Sequence, residues 1–174
     1  PLSFHRPDDP LSIVNAMADY QATMDALRDG LVNRTQATIP EDPQERAEHL
    51  KSFGYFCDAS MVGIGRLPDE ALLAEPWRNP ALDRLAADLS TRQTKTLASG
   101  IDVILADLRD SLLAPDTTAN DHSTVLTFLC EWQRDPDPHE RGTDWLRDAQ
   151  AHRAAMRSAE VAVVLASYIR LLGW

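Results

Sequence analysis

The sequence predicts an α+β fold, rich in helix, with a small sheet and an N-terminal helical arm. Apolar residues recur at three- and four-residue spacing in about five windows, the mark of helices with one buried face. Two short windows instead concentrate β-branched and aromatic residues, as strands do. Across 174 residues 44% are apolar, enough to bury the core of one domain.

Asp9 and Pro10 read as a helix cap and first turn, after which Ile13, Met17, Tyr20, Met24 and Leu27 repeat with helical spacing as far as Gly30. Residues 31–40, "LVNRTQATIP", have no period and read as a connector. Residues 1–40 are therefore expected to form the arm and residues 41–174 the body. A second helix opens at Asp42 and Pro43, where the Asp42 carboxylate can accept from the Glu45 amide while Glu45 reaches back. Its inner face would be Ala47, Leu50, Gly54 and Cys57. The stretch "ASMVGIGRLP" (59–68) is a short strand ended by Pro68.

Helical spacing returns at Leu82, Leu85, Ala86 and Leu89, and again at Ile101, Ile104, Leu105, Leu108 and Leu112, with Gly100 a break between them. The residues "PDTTANDHS" (115–123) have turn chemistry. Next, "TVLTFLCEW" (124–132) is the best strand in the chain. After the loop "RDPDPHERGTD" (134–144), Asp144 can cap a last helix from Trp145 to Leu172. Its inner stripe would be Val161, Val164, Leu165, Tyr168, Ile169 and Leu172. Two strands make a poor sheet. The expectation is an incomplete sheet, whose remaining strands come from a downstream segment or a partner.

The formal net charge of −10 repels phosphate backbones and anionic lipid, so nucleic acid and membrane surfaces are poor partners. The apolar run "VAVVLASYI" (161–169) is about half a bilayer crossing and is bracketed by Glu160 and Arg170. Residues 1–15 lack the pattern of a secretory signal, which makes a cytoplasmic location the expectation.

Candidate chemistry is thin. Cys57 and Cys130 lie far apart and read as small buried thiols, and one chain with two cysteines cannot supply the four thiolates of an iron–sulfur cluster. Gly63, Ile64 and Gly65 begin like a dinucleotide loop, but Pro68 stands where a third glycine is needed. His5, His49, His122, His139 and His152 are isolated from one another. Asp121 with His122 reads as a solvated turn, and the carboxylates of 134–144 lack calcium-loop spacing. The cluster "TRQTKT" (91–96) reads as a helix surface, and Asn33, Arg34 and Thr35 match a glycosylation acceptor only weakly. No catalytic, cofactor-binding or metal-ligating residue is nominated.

A resemblance adds what the residues alone do not. The stretches "HLKSFGYFCDASMVGIGRLP" (49–68), "NPALDRLAADLSTRQTKTLASGIDVI" (79–104) and "DWLRDAQAHRAAMRSAEVAVVLASYIRLLGW" (144–174) resemble, in that order, the N-terminal part of cobalamin-dependent reductive dehalogenases. The opening "PLSFHRPDDPLSIVNAMADYQ" resembles the cytoplasmic, catabolic branch. The resemblance implies removal of halogen from an organohalide such as a halogenated phenol, by base-off cobalamin reduced through two [4Fe-4S] clusters, with a tyrosine as proton donor. It also implies a degenerate, incomplete nitroreductase-like domain that packs on downstream cobalamin-binding and iron–sulfur domains of the same polypeptide.

No functional residue of the family carries over. Cys57 and Cys130 match neither cluster motif, and Tyr20, Tyr55 and Tyr168 are not assigned the proton-donor role. The expected function is a scaffold segment of such an enzyme. The alternatives are a stand-alone binding or assembly domain of the same fold, or part of another corrinoid or flavin oxidoreductase.

Overall fold

A computed structural model describes residues 6, 8–27, 32–72, 74, 83, 84, 86, 87, 122–146 and 149–174. Among them are four α-helices and two strands: α1 (Ile13–Leu27), α2 (Pro43–Phe56), β1 (Met61–Arg66), β2 (Thr124–Leu129), α3 (Thr143–Leu146) and α4 (Ala149–Leu171). A single 3-10 turn covers Asp69–Ala71. The α+β class therefore holds. The helices expected over 82–89 and 101–112, with Gly100 and the cluster at 91–96, fall outside the described residues, apart from residues 83, 84, 86 and 87, which are helical.

β1 and β2 pair antiparallel, from Met61 opposite Leu129 to Arg66 opposite Thr124. Because side chains alternate across a strand, Val62, Leu126 and Phe128 point to one face. There they pack with Phe53, Cys57 and Cys130 around the buried Ala59, Val161 and Leu165. Met61 and Leu129, paired on the other face, are each 61% exposed. Gly54 lets α2 approach the sheet, since a Cβ there would lie 2.8 Å from Val62 Cγ2.

α1 lies along α4, but on a different stripe from the one its larger apolar residues define. Val14, Ala18 and Ala22 are buried at four-residue spacing, whereas Tyr20 is 40% exposed and Met17 and Met24 are half-buried. Small side chains are covered completely by close packing, whereas the longer Tyr20 and Met24 reach the cleft shared with α4. The first helical residue is Ile13 and not the turn at Pro10; Asn15 instead ties the preceding loop, accepting from Arg6 N at 2.7 Å and donating to Asp9 O at 3.0 Å.

α2 begins as expected at Asp42 and Pro43, although Asp42 Oδ1 accepts from the Gln44 amide, at 2.9 Å, and not from Glu45. The expected last helix is described as two spans, α3 and α4, with residues 147 and 148 between them undescribed. Of its forecast stripe, Val161 and Leu165 are buried and Tyr168, Ile169 and Leu172 half-buried, but Val164 is exposed. Ala149 and His152 are buried on α4 without having been foreseen. In the loop before α3 the buried Thr143 hydroxyl lies 2.7 Å from both Asp137 O and Glu140 O, which fixes the turn.

Two helix ends organise the rest. At the end of α2 the Ala59 amide donates to Gly54 O and the Asp58 amide to Tyr55 O, both at 3.1 Å, with Asp58 in the left-handed region at φ 66°. At the end of α4 the Trp174 amide donates to Ile169 O at 3.2 Å and the Gly173 amide to Arg170 O at 3.0 Å, with Gly173 at φ 85°. Both are Schellman caps, which satisfy carbonyls that a helix end otherwise leaves without donors. The connector then completes the second cap, for the Asn33 amide donates to Arg170 O (2.9 Å), Asn33 Nδ2 to Leu171 O (3.1 Å) and the Ala37 amide to Leu172 O (2.8 Å).

Candidate functional site

A polar junction lies where α1, the end of α2 and α4 meet. Arg157 and Glu160 stand one turn apart on α4, a spacing that brings side chains together on one helix face. One Arg157 nitrogen donates to Glu160 Oε2 at 2.6 Å and the other to Asp58 Oδ2 at 2.8 Å. The left-handed backbone at Asp58 presents that carboxylate. From α1, the Tyr20 hydroxyl donates to Glu160 Oε1 at 2.8 Å. Together with Cys57 and Val161 these groups line an open cleft of about 300 Å³.

Electrostatics make the cleft quiet. The hydrogen bond to Glu160, and then the charge of that carboxylate, hold the Tyr20 phenol above its ordinary pKa. Burial, followed by the neighbouring Asp58, raises the Cys57 thiol. Tyr20 is thus a neutral donor near pH 7, Cys57 is a thiol and not a nucleophilic thiolate, and Arg157 already faces two carboxylates. The arrangement joins three elements, α1, the end of α2 and α4. Among the described residues no group of three or more His, Cys, Asp or Glu side chains could hold a metal ion.

Nearer the C-terminal end of α4 lies a second concavity of about 190 Å³, between α2, α4 and the connector. Its walls come from Ile39, Leu50, Ile169, Leu172 and Trp174. His49 Nε2 lies 2.9 Å from the Tyr168 hydroxyl, and Phe53 meets the Tyr168 ring edge-on at 5.0 Å between centroids. Tyr168 is accordingly a half-buried packing residue.

The weak sequence signals resolve as structure. Asn33 spends its amide on the end of α4 and its Oδ1 on the Thr35 amide at 3.1 Å. Gly63 and Gly65 are strand residues paired with Thr127 and Val125. His122 and His139 are exposed, and Asp121 is outside the described residues. The sequence reading did not single out Arg157 and Glu160; a three-residue helix spacing could have found that pair, but not the participation of Asp58 and Tyr20. Among the described residues no helix is long and apolar enough to cross a membrane.

No protein-family model matches the chain, and no curated protein does. Solved structures of reductive dehalogenases do. The catabolic reductive dehalogenase NpRdhA is 28% identical over 94% of this chain and 18% of its own, with a TM-score of 0.62. Its complex with 3-bromo-4-hydroxybenzoic acid matches at 28% identity over 94% and 17%, with a TM-score of 0.60. A reductive dehalogenase structure described as suggesting a mechanism for B12-dependent dehalogenation is 28% identical over 98% and 18%, with a TM-score of 0.62. The likeness in fold and sequence supports the cobalamin-dependent reductive dehalogenase family. The chain spans about 18% of the length of the first of the dehalogenases it matches.

Proposed function

We propose that this chain is the N-terminal scaffold segment of a cobalamin- and iron–sulfur-dependent reductive dehalogenase that acts in the cytoplasm on organohalides of the halogenated-phenol class. The single observation that carries the reading is the match at 28% identity over 94% of this chain but only 18% of a catabolic reductive dehalogenase. A neighbour solved with 3-bromo-4-hydroxybenzoic acid favours a halogenated phenol as substrate. Helices packed on a small antiparallel sheet are compatible with a partial nitroreductase-like body over residues 41–174, with residues 1–40 as its arm.

The cofactors belong to other parts of that polypeptide. Cys57 and Cys130 are free, half-buried and the only two cysteines of the chain, so its residues do not fit a [4Fe-4S] cluster, which takes four thiolates. In the polar cleft the Tyr20 phenol and the Cys57 thiol are both held above their ordinary pKa, which favours a structural role. This segment's contribution is mechanical. It holds α1 on α4, and α2 and α4 on the sheet, while cobalamin and clusters are bound by downstream domains.

The test is the intact mass and visible spectrum of the native polypeptide that contains this sequence, purified without air and with corrinoid supplied. The expected result is a mass several times 19.3 kDa, with corrinoid and iron–sulfur absorption and loss of halide from a bromophenol. A colourless protein of 19.3 kDa overturns the reading.

A further inference from the structure

We propose that the apolar groove between α2, α4 and the connector is the seat for an apolar segment of the same dehalogenase polypeptide, lying outside these 174 residues. The inference rests on the reading above and assigns one surface to it. Size comes first. A dry cavity of roughly 150 Å³ accepts a benzene-sized group. The groove encloses about 190 Å³, room for one aromatic or two branched aliphatic side chains.

Chemistry sets the occupant's character. Ile39, Leu50, Ile169 and Leu172 offer carbon only. The polar groups at the margin bond within the chain: His49 meets Tyr168, and Arg46 Nη1 donates to Pro40 O at 2.9 Å and Glu41 O at 3.2 Å. A strongly polar segment would lose water against these carbon walls and find partners only at the Arg46 rim. An apolar one gains by taking its own surface and the walls out of water.

The source follows from length. The matched dehalogenase holds more than four-fifths of its chain beyond the stretch that this sequence covers, since that stretch is 18% of it. A polypeptide of that size tethers its own segments near the groove at high effective concentration, an advantage that a separate molecule lacks. Trp174, 51% exposed at the groove mouth, supplies a rigid aromatic wall of the kind that anchors interfaces.

Two measurements on the full polypeptide test the assignment. Ile39→p-benzoylphenylalanine places a photoreactive group on the groove wall, and peptides cross-linked to it are read by mass spectrometry. Cross-links to an apolar peptide outside the 174 residues are expected. Cross-links confined to this segment, or joining two copies, overturn the proposal. Without any substitution, hydroxyl-radical oxidation compares Trp174 with Trp132, which are 51% and 65% exposed in this segment alone. Trp174 should be protected severalfold relative to Trp132. Equal oxidation sinks the groove assignment, whereas a native protein with no further polypeptide sinks the scaffold reading instead.

Discussion

α2 and α4 close with the same hydrogen-bond pattern, yet one turns on Asp58 and the other on Gly173. Both residues sit in the left-handed region, at φ 66° and 85°. Asp tolerates that region better than most side-chain-bearing residues, at a cost of roughly 1 kcal/mol, and in return its carboxylate reaches Arg157. At Gly173 no side chain is admissible. A Cβ would stand 2.7 Å from Thr35 O and 2.8 Å from Gln36 Cα, both on the connector backbone. One helix end is therefore an electrostatic junction, open to exchange, and the other is a close backbone crossing that sterics hold fixed.

The sharpest way to break the comparison is to exchange the residues. Gly173→Ala adds a left-handed penalty of about 1–2 kcal/mol to an overpacking cost of about 1–3 kcal/mol, so a loss of roughly 2–5 kcal/mol is expected in denaturant unfolding. Hydrogen exchange at the Asn33 and Ala37 amides should accelerate with it, because those donors cross the α4 end. Asp58→Gly relieves strain but loosens the unfolded chain and removes an exposed ion pair, which leaves a net change within about 1 kcal/mol of zero. Equal losses at the two positions would contradict the distinction.

Gly54→Ala tests the α2 end from inside the helix. Alanine raises helix propensity by about 1 kcal/mol, while a Cβ at 2.8 Å from Val62 Cγ2 demands a shift from a stiff β-branched side chain. Overpacking of this kind costs about 1–3 kcal/mol, so the variant should lose between nothing and about 2 kcal/mol. A thermal melt showing clear stabilisation would mean that Val62 yields freely and that α2 does not need its glycine against β1.

These contrasts explain what could be read from residues alone. Both strands were legible because β-branched and aromatic residues cluster in 61–66 and 124–129, and α2 was legible because Asp42 and Pro43 mark its start. The buried face of α1 was misread: a pattern weighted by side-chain size selects Met17, Tyr20 and Met24, whereas close helix contact selects Val14, Ala18 and Ala22. Gly173 announced a helix end, and the aperiodic connector hid its partner, because backbone amides from Asn33 and Ala37 leave no signature in side-chain pattern. The polar cleft was half legible. Arg157 and Glu160 are neighbours by spacing, but Asp58 and Tyr20 reach them from 99 and 140 residues away in sequence, and such contacts depend on packing.

The smallest effect separates the two helix ends by their response to alkali. Tyr20 has a pKa raised above its ordinary value of 10.0 by its bond to Glu160, so the folded state favours the neutral phenol. A group whose pKa is higher in the folded than in the unfolded chain contributes stability below the unfolded pKa and loses it as pH rises through the folded one. Wild type should therefore melt above Tyr20→Phe at about pH 8, with the gap narrowing or reversing by about pH 11, where a phenolate would face the Glu160 carboxylate. Groups common to both proteins cancel from the difference. Gly173→Ala serves as the counterpart, since the bonds at the α4 end are made by backbone amides and the Asn33 carboxamide, none of which titrates in this range. Its deficit should stay constant between the two pH values. A Tyr20→Phe gap that also stayed constant would mean the hydroxyl bond to Glu160 is not formed in solution, and α1 would then be held in place by packing and not by that bond.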